Sequence, residues 1–170
     1  IQTTETIRWD SSLTLPDIDG KPHPGLAGAF SGCIGDFLFI AGGANFPDAT
    51  PWNGGTKTWW NTLYYKNLND ASSAWKEIKE ALPSARAYGV SIPLPDGILC
   101  IGGCDAKQCY SEVFTIRMHN GKVEIDKNWP KLPVPLANMT GAKLGNKIFL
   151  AGGQEQMKPE AATSHFFMLD

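Results

Sequence analysis

Three copies of one pattern decide the fold: FSGCIGDFLFIAGG at residues 30–43, YGVSIPLPDGILCIGG at residues 88–103 and MTGAKLGNKIFLAGG at residues 139–153. Each copy predicts an apolar strand, a tight turn and a second apolar strand that ends in two glycines. The second strands, FLFIA, ILCI and IFLA, are almost continuously apolar. Such runs are typical of strands buried on both faces, so we expect an all-β protein.

The spacing of the glycine pairs predicts the kind of all-β fold. The pairs lie at 42–43, 102–103 and 152–153, so successive pairs are 60 and 50 residues apart. Kelch repeats recur at about 50 residues, and each builds one four-stranded blade of a β-propeller. The longer first interval contains an extended loop over residues 44–61. We therefore predict a kelch-type β-propeller.

The outer strands of each predicted blade carry aromatic residues. Third strands are expected at residues 63–66, 113–116 and 166–169. Fourth strands are expected around Trp75 and Trp129, and each leads into a Leu-Pro pair. The predicted blades cover residues 22–82, 83–132 and 133–170, and the last one is incomplete.

The N-terminal residues have the pattern of a fourth strand without a blade of its own. Ile7-Arg8-Trp9 is followed by Leu15-Pro16. We expect residues 1–16 to supply the fourth strand that closes the last blade of a ring, because closure removes exposed strand edges. Propellers have about 4–8 blades. The predicted partners therefore include the remaining blades, supplied by the rest of the protein or by another chain.

Composition excludes several classes of partner. The formal net charge is −2 and charged residues make up 19% of the chain, so no nucleic-acid partner is expected. The chain contains no run of about 18 apolar residues, so we expect no membrane span. The histidines His23, His119 and His165 show no ligand spacing, and no metal is expected.

The four cysteines fall into two pairs. Cys33 and Cys100 lie in apolar, strand-like runs and are predicted to be buried thiols. Cys104 and Cys109 flank the short polar loop CDAKQC. A local disulfide fits this pair in an oxidising compartment, and two free thiols fit it equally well.

Three strings go beyond the general kelch pattern. LAGAFSG at residues 26–32, FIAGGANF at residues 39–46 and ARAYGVSIP at residues 85–93 resemble the sialic acid mutarotases, also called N-acetylneuraminate epimerases. These strings stand near the C-terminus in that family, whereas residues 132–153 resemble its N-terminal blade. The order is that of the family's cyclically permuted branch. The resemblance implies a six-bladed ring and a bacterial, mostly periplasmic protein.

The resemblance also implies an activity, the interconversion of the α and β anomers of N-acetylneuraminic acid. Ring opening needs a base for the anomeric hydroxyl and an acid for the ring oxygen. The sugar's carboxylate favours an arginine partner in a fork geometry. No cofactor is required. The family's catalytic carboxylate would lie beyond residue 170, so the catalytic residue is unknown and Glu155 is a weak candidate. The alternative is a non-catalytic kelch propeller that binds a protein or glycan.

Candidate site residues follow from propeller geometry, because the loops after second strands and those before first strands face the same end of the ring. The predicted substrate-binding residues are Arg86, Asn45, Tyr88, Asn138, Gln154, Lys57 and Trp59. The first choice is Arg86, since a charge at the start of an apolar strand needs a reason. Each of four candidates also has an alternative structural role. These roles are an ion pair at Arg86, packing at Tyr88, a turn at Asn45 and a solvated charge at Glu155.

Overall fold

The computed structural model describes Trp9, residues 11–18 and residues 20–170. Their strands, in chain order, are β1 (Phe30–Ile34), β2 (Phe37–Ala41), β3 (Ala44–Asn45), β4 (Thr58–Trp59), β5 (Leu63–Asn67), β6 (Lys76–Ile78), β7 (Val90–Leu94), β8 (Gly97–Ile101), β9 (Val113–His119), β10 (Lys122–Asp126), β11 (Thr140–Leu144), β12 (Lys147–Ala151) and β13 (Phe166–Leu169). Two short 3₁₀ turns lie at Pro51–Asn53 and Pro159–Ala161.

The long strands form three antiparallel sheets that follow one another along the chain. Blade 1 has the order β1-β2-β5-β6, blade 2 has the order β7-β8-β9-β10, and blade 3 has the order β11-β12-β13. The small hairpin β3-β4 lies in the loop of blade 1. This is the repeated, first-strand-inward arrangement of a kelch-type propeller, and it confirms the predicted fold class.

Apolar side chains between neighbouring blades form the core. One buried cluster joins blades 1 and 2, and within it the Phe30 and Phe114 rings meet edge to face at 5.7 Å. A second cluster joins blades 2 and 3 and includes Val90 and Ile148. Each large apolar side chain that is fully buried contributes roughly 1.5–3 kcal/mol. Contact between the blades therefore holds their orientation.

The glycine pairs are required where a second strand turns away from the sheet. Gly42 has φ of 66° and Gly43 has φ of 93°. A Cβ on Gly42 would lie 2.5 Å from the carbonyl oxygen of Arg86. Only glycine adopts this conformation without strain and leaves room for the neighbouring backbone.

The structure corrects the predicted fourth strand of blade 2. That strand is β10, Lys122–Asp126, and Trp129 lies in the loop after it. The cause is a tight turn at Asn120-Gly121, where both residues have positive φ, 51° and 73°. Asn-Gly is the strongest short hairpin signal, and it returns the chain before Trp129 is reached.

A second correction concerns Cys33, which is exposed, whereas Cys100 is buried as predicted. Alternate residues of a strand face opposite sides of the sheet. Cys33 lies on the side of β1 away from blade 2, because Phe30 and Phe39 fill the covered side.

The proposed closing strand falls largely outside the described residues, because Ile7 and Arg8 are not among them. Trp9 is fully exposed, and residues 11–17 form no strand. This segment contacts blade 1, since the Trp75 indole donates a hydrogen bond to the Thr14 carbonyl oxygen at 2.8 Å. The closing role of Trp9 stays a prediction.

Candidate functional site

Three equivalent residues, one at the entry to each blade, define one end of the molecule. These are Gly28, Tyr88 and Asn138, with φ of 62°, 64° and 56°. The Tyr88 N–H donates to the Gly28 carbonyl at 2.8 Å, and the Asn138 N–H donates to the Tyr88 carbonyl at 2.8 Å. We call this row of three residues the seam. It marks one end of the blades, and we call that end the mouth. The mouth includes the loops that follow the glycine pairs.

Tyr88 holds a conformation that is uncommon for a bulky residue. A positive φ places its Cβ against its own carbonyl oxygen and costs roughly 1–2 kcal/mol. The ring packs over Gly28, where an added Cβ would lie 2.4 Å from the Tyr88 Cδ1. Backbone strain of this kind clusters at functional sites, so Tyr88 marks the mouth as a candidate site.

The long loop of blade 1 brings a cation to the mouth. The hairpin β3-β4 positions Lys57, whose Nζ lies 4.5 Å from the ring centre of Tyr88 and 5.0 Å from that of Trp59. Among the described residues no carboxylate lies within 4 Å of this ammonium. Lys57 and Tyr88 line an open cavity of about 620 Å³ with Asn45 and the exposed Trp52.

At the next position of the seam after Tyr88, two amides of blade 3 are joined to each other. Asn138 Nδ2 donates to Gln154 Oε1 at 2.7 Å, and Gln154 Nε2 donates to the Lys158 carbonyl at 3.0 Å. Asn138 is exposed and Gln154 is half-buried. Both side chains therefore lie at the mouth with hydrogen-bonding atoms accessible to a ligand.

The second residue after each glycine pair fastens its own loop. Asn45 Oδ1 accepts from the Trp60 indole at 2.9 Å, and Asp105 Oδ2 accepts from the Tyr110 hydroxyl at 2.6 Å. Glu155 Oε1 lies 2.9 Å from His165 Nε2. Asn45 also donates to the Gly25 carbonyl at 2.8 Å. We call these three residues the staples, and their contacts give Asn45 and Glu155 a structural role.

Asp105 is the staple that sequence reasoning overlooked, although it follows its glycine pair at the same distance as Glu155. Burial raises the pKa of Asp105, but hydrogen bonds from the Tyr110 hydroxyl and the Lys107 and Gln108 amides outweigh it and lower the pKa overall. The alignment of the three repeats on their glycine pairs was the signal that could have found it.

Arg86 does not reach the mouth. Its side chain is buried between blades 1 and 2, with the residue 1% exposed. The guanidinium stacks on the Tyr110 ring at 4.1 Å and donates to the Ser84 hydroxyl at 2.7 Å. Burial lowers the pKa of Arg86, and the Glu112 carboxylate, 3.7 Å away, opposes that change. These contacts are those expected of the structural alternative, and a substrate contact of Arg86 stays a prediction.

Two thiols lie beneath the mouth. Cys104 and Cys109 are free and buried, and they pack with Ala137 against Tyr88. Burial raises the pKa of Cys104 to about 11, with a further rise from Cys109 and an opposing effect of Lys57. The Trp59 indole N–H is buried without a regular hydrogen-bond acceptor, yet it lies near enough to Cys104 to favour the thiolate.

The structure thus brings together part of the predicted set and separates the rest. Lys57, Trp59 and Tyr88 form one cluster, with Asn138 and Gln154 beside it on blade 3. Asn45 and Glu155 border the mouth as staples, and Arg86 lies in the interior. The described residues contain no group of three metal-binding side chains and no helix long and apolar enough to cross a membrane.

Comparisons with known proteins identify similar chains. The sequence profile of the N-acetylneuraminate epimerase family matches residues 1–125. An N-acetylneuraminate epimerase of Vibrio vulnificus is 31% identical over 128 residues, which cover 69% of this chain and 32% of the relative. One of Salmonella arizonae is 34% identical over 136 residues, covering 74% and 34% respectively.

A solved structure, that of YjhT, matches the fold with a TM-score of 0.60 at 19% identity. The match covers 86% of this chain and 44% of the YjhT chain. The chain therefore spans about a third of the length of the curated relatives that it matches, and less than half of its structural neighbour.

Proposed function

Because the chain belongs to the N-acetylneuraminate epimerase family, we propose that it forms part of an enzyme that interconverts the anomers of N-acetylneuraminic acid. The observation that carries this proposal is the Lys57 ammonium. It rests on the Tyr88 and Trp59 rings, faces an open cavity of about 620 Å³ and has no carboxylate partner among the described residues.

The cluster suits an acidic sugar. The carboxylate of N-acetylneuraminic acid would take the place of a counter-ion on Lys57, and a cation in a partly desolvated site binds such a group strongly. The exposed Trp52 offers an aromatic face to the apolar side of the sugar ring. The paired amides of Asn138 and Gln154 can bond to sugar hydroxyls. We therefore assign substrate binding to Lys57, Trp59, Tyr88, Asn138 and Gln154.

The acid and base of the reaction are assigned to other blades. Mutarotation needs both groups within hydrogen-bond reach of the sugar. Glu155 is occupied by His165, and the equivalent Asn45 and Asp105 are staples too. The matched relatives are about three times as long as the aligned segment. We propose that the catalytic pair comes from the part of the ring that those further residues build.

The free sheet faces support the same picture of a larger ring. Phe166, Met168 and Leu144 are 66%, 53% and 75% exposed, although equivalent faces between blades are buried. On the other side, blade 1 carries a cavity of about 610 Å³ lined by His23, Tyr64 and Glu77. We propose that further blades cover both faces and complete a ring of six blades in total. We also propose that the protein is periplasmic, as most of its family is.

The decisive experiment is NMR exchange spectroscopy of N-acetylneuraminate with the full-length protein. We expect faster exchange between the anomers than in buffer. Lys57→Met should raise the KM at least tenfold, because the sugar loses its carboxylate partner. The matched control is Lys76→Met, which removes a lysine on the Tyr65 ring away from the mouth.

Three outcomes would count against the proposal. Exchange at the spontaneous rate would exclude the enzyme, and sugar binding without exchange would favour the non-catalytic propeller that binds a glycan. Equal effects of Lys57→Met and Lys76→Met would remove Lys57 from the site.

A further inference from the structure

The two thiols under the mouth occupy opposite positions of a β-bridge. Cys104 and Cys109 pair in antiparallel fashion, closing the loop of residues 105–108. The hydrogen bonds beside them run from the Tyr110 N–H to the Gly103 carbonyl at 2.8 Å, and from the Asp105 N–H to the Gln108 carbonyl at 3.0 Å. These bonds flank the cysteines, which are therefore a non-hydrogen-bonded pair.

That register brings the two side chains as close as a sheet allows. In a non-hydrogen-bonded antiparallel pair the Cα atoms are about 4.5 Å apart. Disulfides span Cα distances of about 4.4–6.8 Å. The backbone around Cys104 and Cys109 therefore satisfies the distance requirement of a disulfide without rearrangement.

The loop between the cysteines is held in this closed form by Asp105. Its Oδ1 accepts hydrogen bonds from the Lys107 N–H at 2.7 Å and the Gln108 N–H at 2.9 Å, and its Oδ2 accepts from Tyr110. Because the loop is ordered before any bond forms, little conformational entropy remains to be lost on cross-linking.

The two sulfurs differ in their access to solvent. Cys104 is 0% exposed, whereas Cys109 is 7% exposed and lines a cavity of about 390 Å³ with Gln108, Pro135 and Glu155. An oxidant can therefore reach Cys109 first, with Cys104 behind it as the resolving thiol. The other two cysteines are not paired with a cysteine across a strand, because Cys33 lies opposite Leu38 on β1 and Cys100 lies opposite Ser91 and Phe114 within β8.

We propose that Cys104 and Cys109 are a redox-active pair that forms a disulfide under the mouth and thereby fixes the support of Tyr88. The co-reactant is a small-molecule or protein disulfide. The Cys109 thiolate attacks one sulfur of that disulfide and releases one thiolate. The Cys104 thiolate then attacks the Cys109 sulfur and releases the second. Two protein thiols and one disulfide give one protein disulfide and two thiols, and each released thiolate takes up one of the two protons.

The consequence for the site follows from packing. Tyr88, whose ring carries the Lys57 ammonium, packs against the cluster formed by Cys104, Cys109 and Ala137. A covalent bond across the bridge would restrict the opening of the loop on which that ring rests. The raised pKa of each thiol, caused mainly by burial, makes the reduced pair slow to react at neutral pH, so the rate should increase as the pH rises.

The test is equilibration of the full-length protein with reduced and oxidised glutathione, alkylation of the remaining thiols and tryptic digestion without reduction. Cleavage after Lys107 separates the two cysteines into residues 87–107 and 108–117. We expect a linked pair of these peptides whose fragments assign the bond to Cys104, with Cys33 and Cys100 alkylated. Alkylation of Cys104 and Cys109 under oxidising conditions, or a bond from either to Cys33 or Cys100, would overturn the proposal.

Amide hydrogen exchange tests the effect on the mouth. Oxidation should slow the exchange of the amides of residues 104–110 at least tenfold. Cys109→Ser, which keeps the size of the side chain, should abolish this response, and Cys33→Ser should preserve it. The same redox response in Cys109→Ser would refute the assignment. Neither readout involves the sugar, so failure here and failure of the proposed enzyme are separate results.

Discussion

One cation lies on aromatic rings in the interface between blades 1 and 2, and another lies on aromatic rings at the mouth. The two differ in whether the charged group is enclosed by protein partners or open to a cavity. Arg86 stacks on Tyr110, and its guanidinium contacts Ser84, Gly102 and Glu112 within the protein. Lys57 lies on two rings but keeps its ammonium open to a cavity. A cation with all its partners inside the fold belongs to the scaffold, whereas one supported only by rings can receive an anion.

The largest effect should come from Arg86→Met. The substitution keeps much of the side-chain volume but removes the stacked guanidinium and its hydrogen bonds to Ser84 and Gly102. Hydrogen bonds to a charged group contribute about 1.5–3 kcal/mol each, so the loss should be about 3 kcal/mol. Urea unfolding should show that loss. The matched control is Arg117→Met, which removes a more exposed arginine of β9. A loss below about 1 kcal/mol would mean that Arg86 is not part of the scaffold.

Gly28→Ala should have the next largest effect, because it tests how rigid the mouth is. The new Cβ would lie 2.4 Å from the Tyr88 ring and 2.8 Å from the Tyr88 nitrogen, at a φ of 62°. We expect a loss of about 2 kcal/mol from strain and from displacement of the ring. Urea unfolding checks this value. Gly121→Ala, also at positive φ but in open space, separates the strain from the clash. Equal losses in both variants would show that the seam tolerates movement.

Asp105→Asn should lose about 1 kcal/mol at pH 7, because the charged staple accepts three hydrogen bonds. The folded protein holds the pKa of Asp105 below its usual value. Its stabilisation is therefore complete above the pKa of the unfolded chain, about 3.9, and is lost as the pH falls through the lower folded value.

Unfolding of wild type and Asp105→Asn between pH 2 and pH 7 measures this dependence. The difference between the two proteins should shrink toward zero in acid. Asn45→Ala provides the neutral comparison, because the equivalent staple of blade 1 carries no charge. A difference between wild type and Asp105→Asn that is independent of pH would contradict the assignment.

The smallest effect on stability should come from Lys57→Met, below about 1 kcal/mol, since a solvent-accessible cation–π contact contributes little and methionine still packs on the rings. Thermal unfolding measures it. A loss as large as that of Arg86→Met would erase the contrast between mouth and interface. It would place Lys57 in the scaffold.

The repeat could be predicted from the sequence because its glycines, turns and apolar strands are local signals. Residues 166–169 form β13 as expected, and β5 extends the predicted third strand by one residue. Trp129 does not mark the fourth strand of blade 2, because the Asn-Gly turn before it has already returned the chain into β10. Turn chemistry fixes where a strand ends more directly than a side chain that can pack from a loop.

The site was harder to predict, because the direction of a side chain depends on packing between blades. Arg86 and Tyr88 are two residues apart in the chain, yet one is buried between sheets and the other lies at the mouth. No local signal separates them. The sequence predicts Lys57 as a residue of the loop after a glycine pair, but its place over Tyr88 depends on the β3-β4 hairpin, which joins residues distant from Tyr88 in sequence.

The seam gives the molecule a direction. At each step the later blade donates its N–H and the earlier blade accepts at its carbonyl, from Asn138 to Tyr88 and from Tyr88 to Gly28. In the part of the chain that the structure describes, the Gly28 N–H and the Asn138 carbonyl have no backbone partner. One end of the row thus offers a donor and the other an acceptor. Any blade that continues the seam must therefore join head to tail, with an N–H facing a carbonyl. A face-to-face arrangement would place two N–H groups or two carbonyls opposite each other.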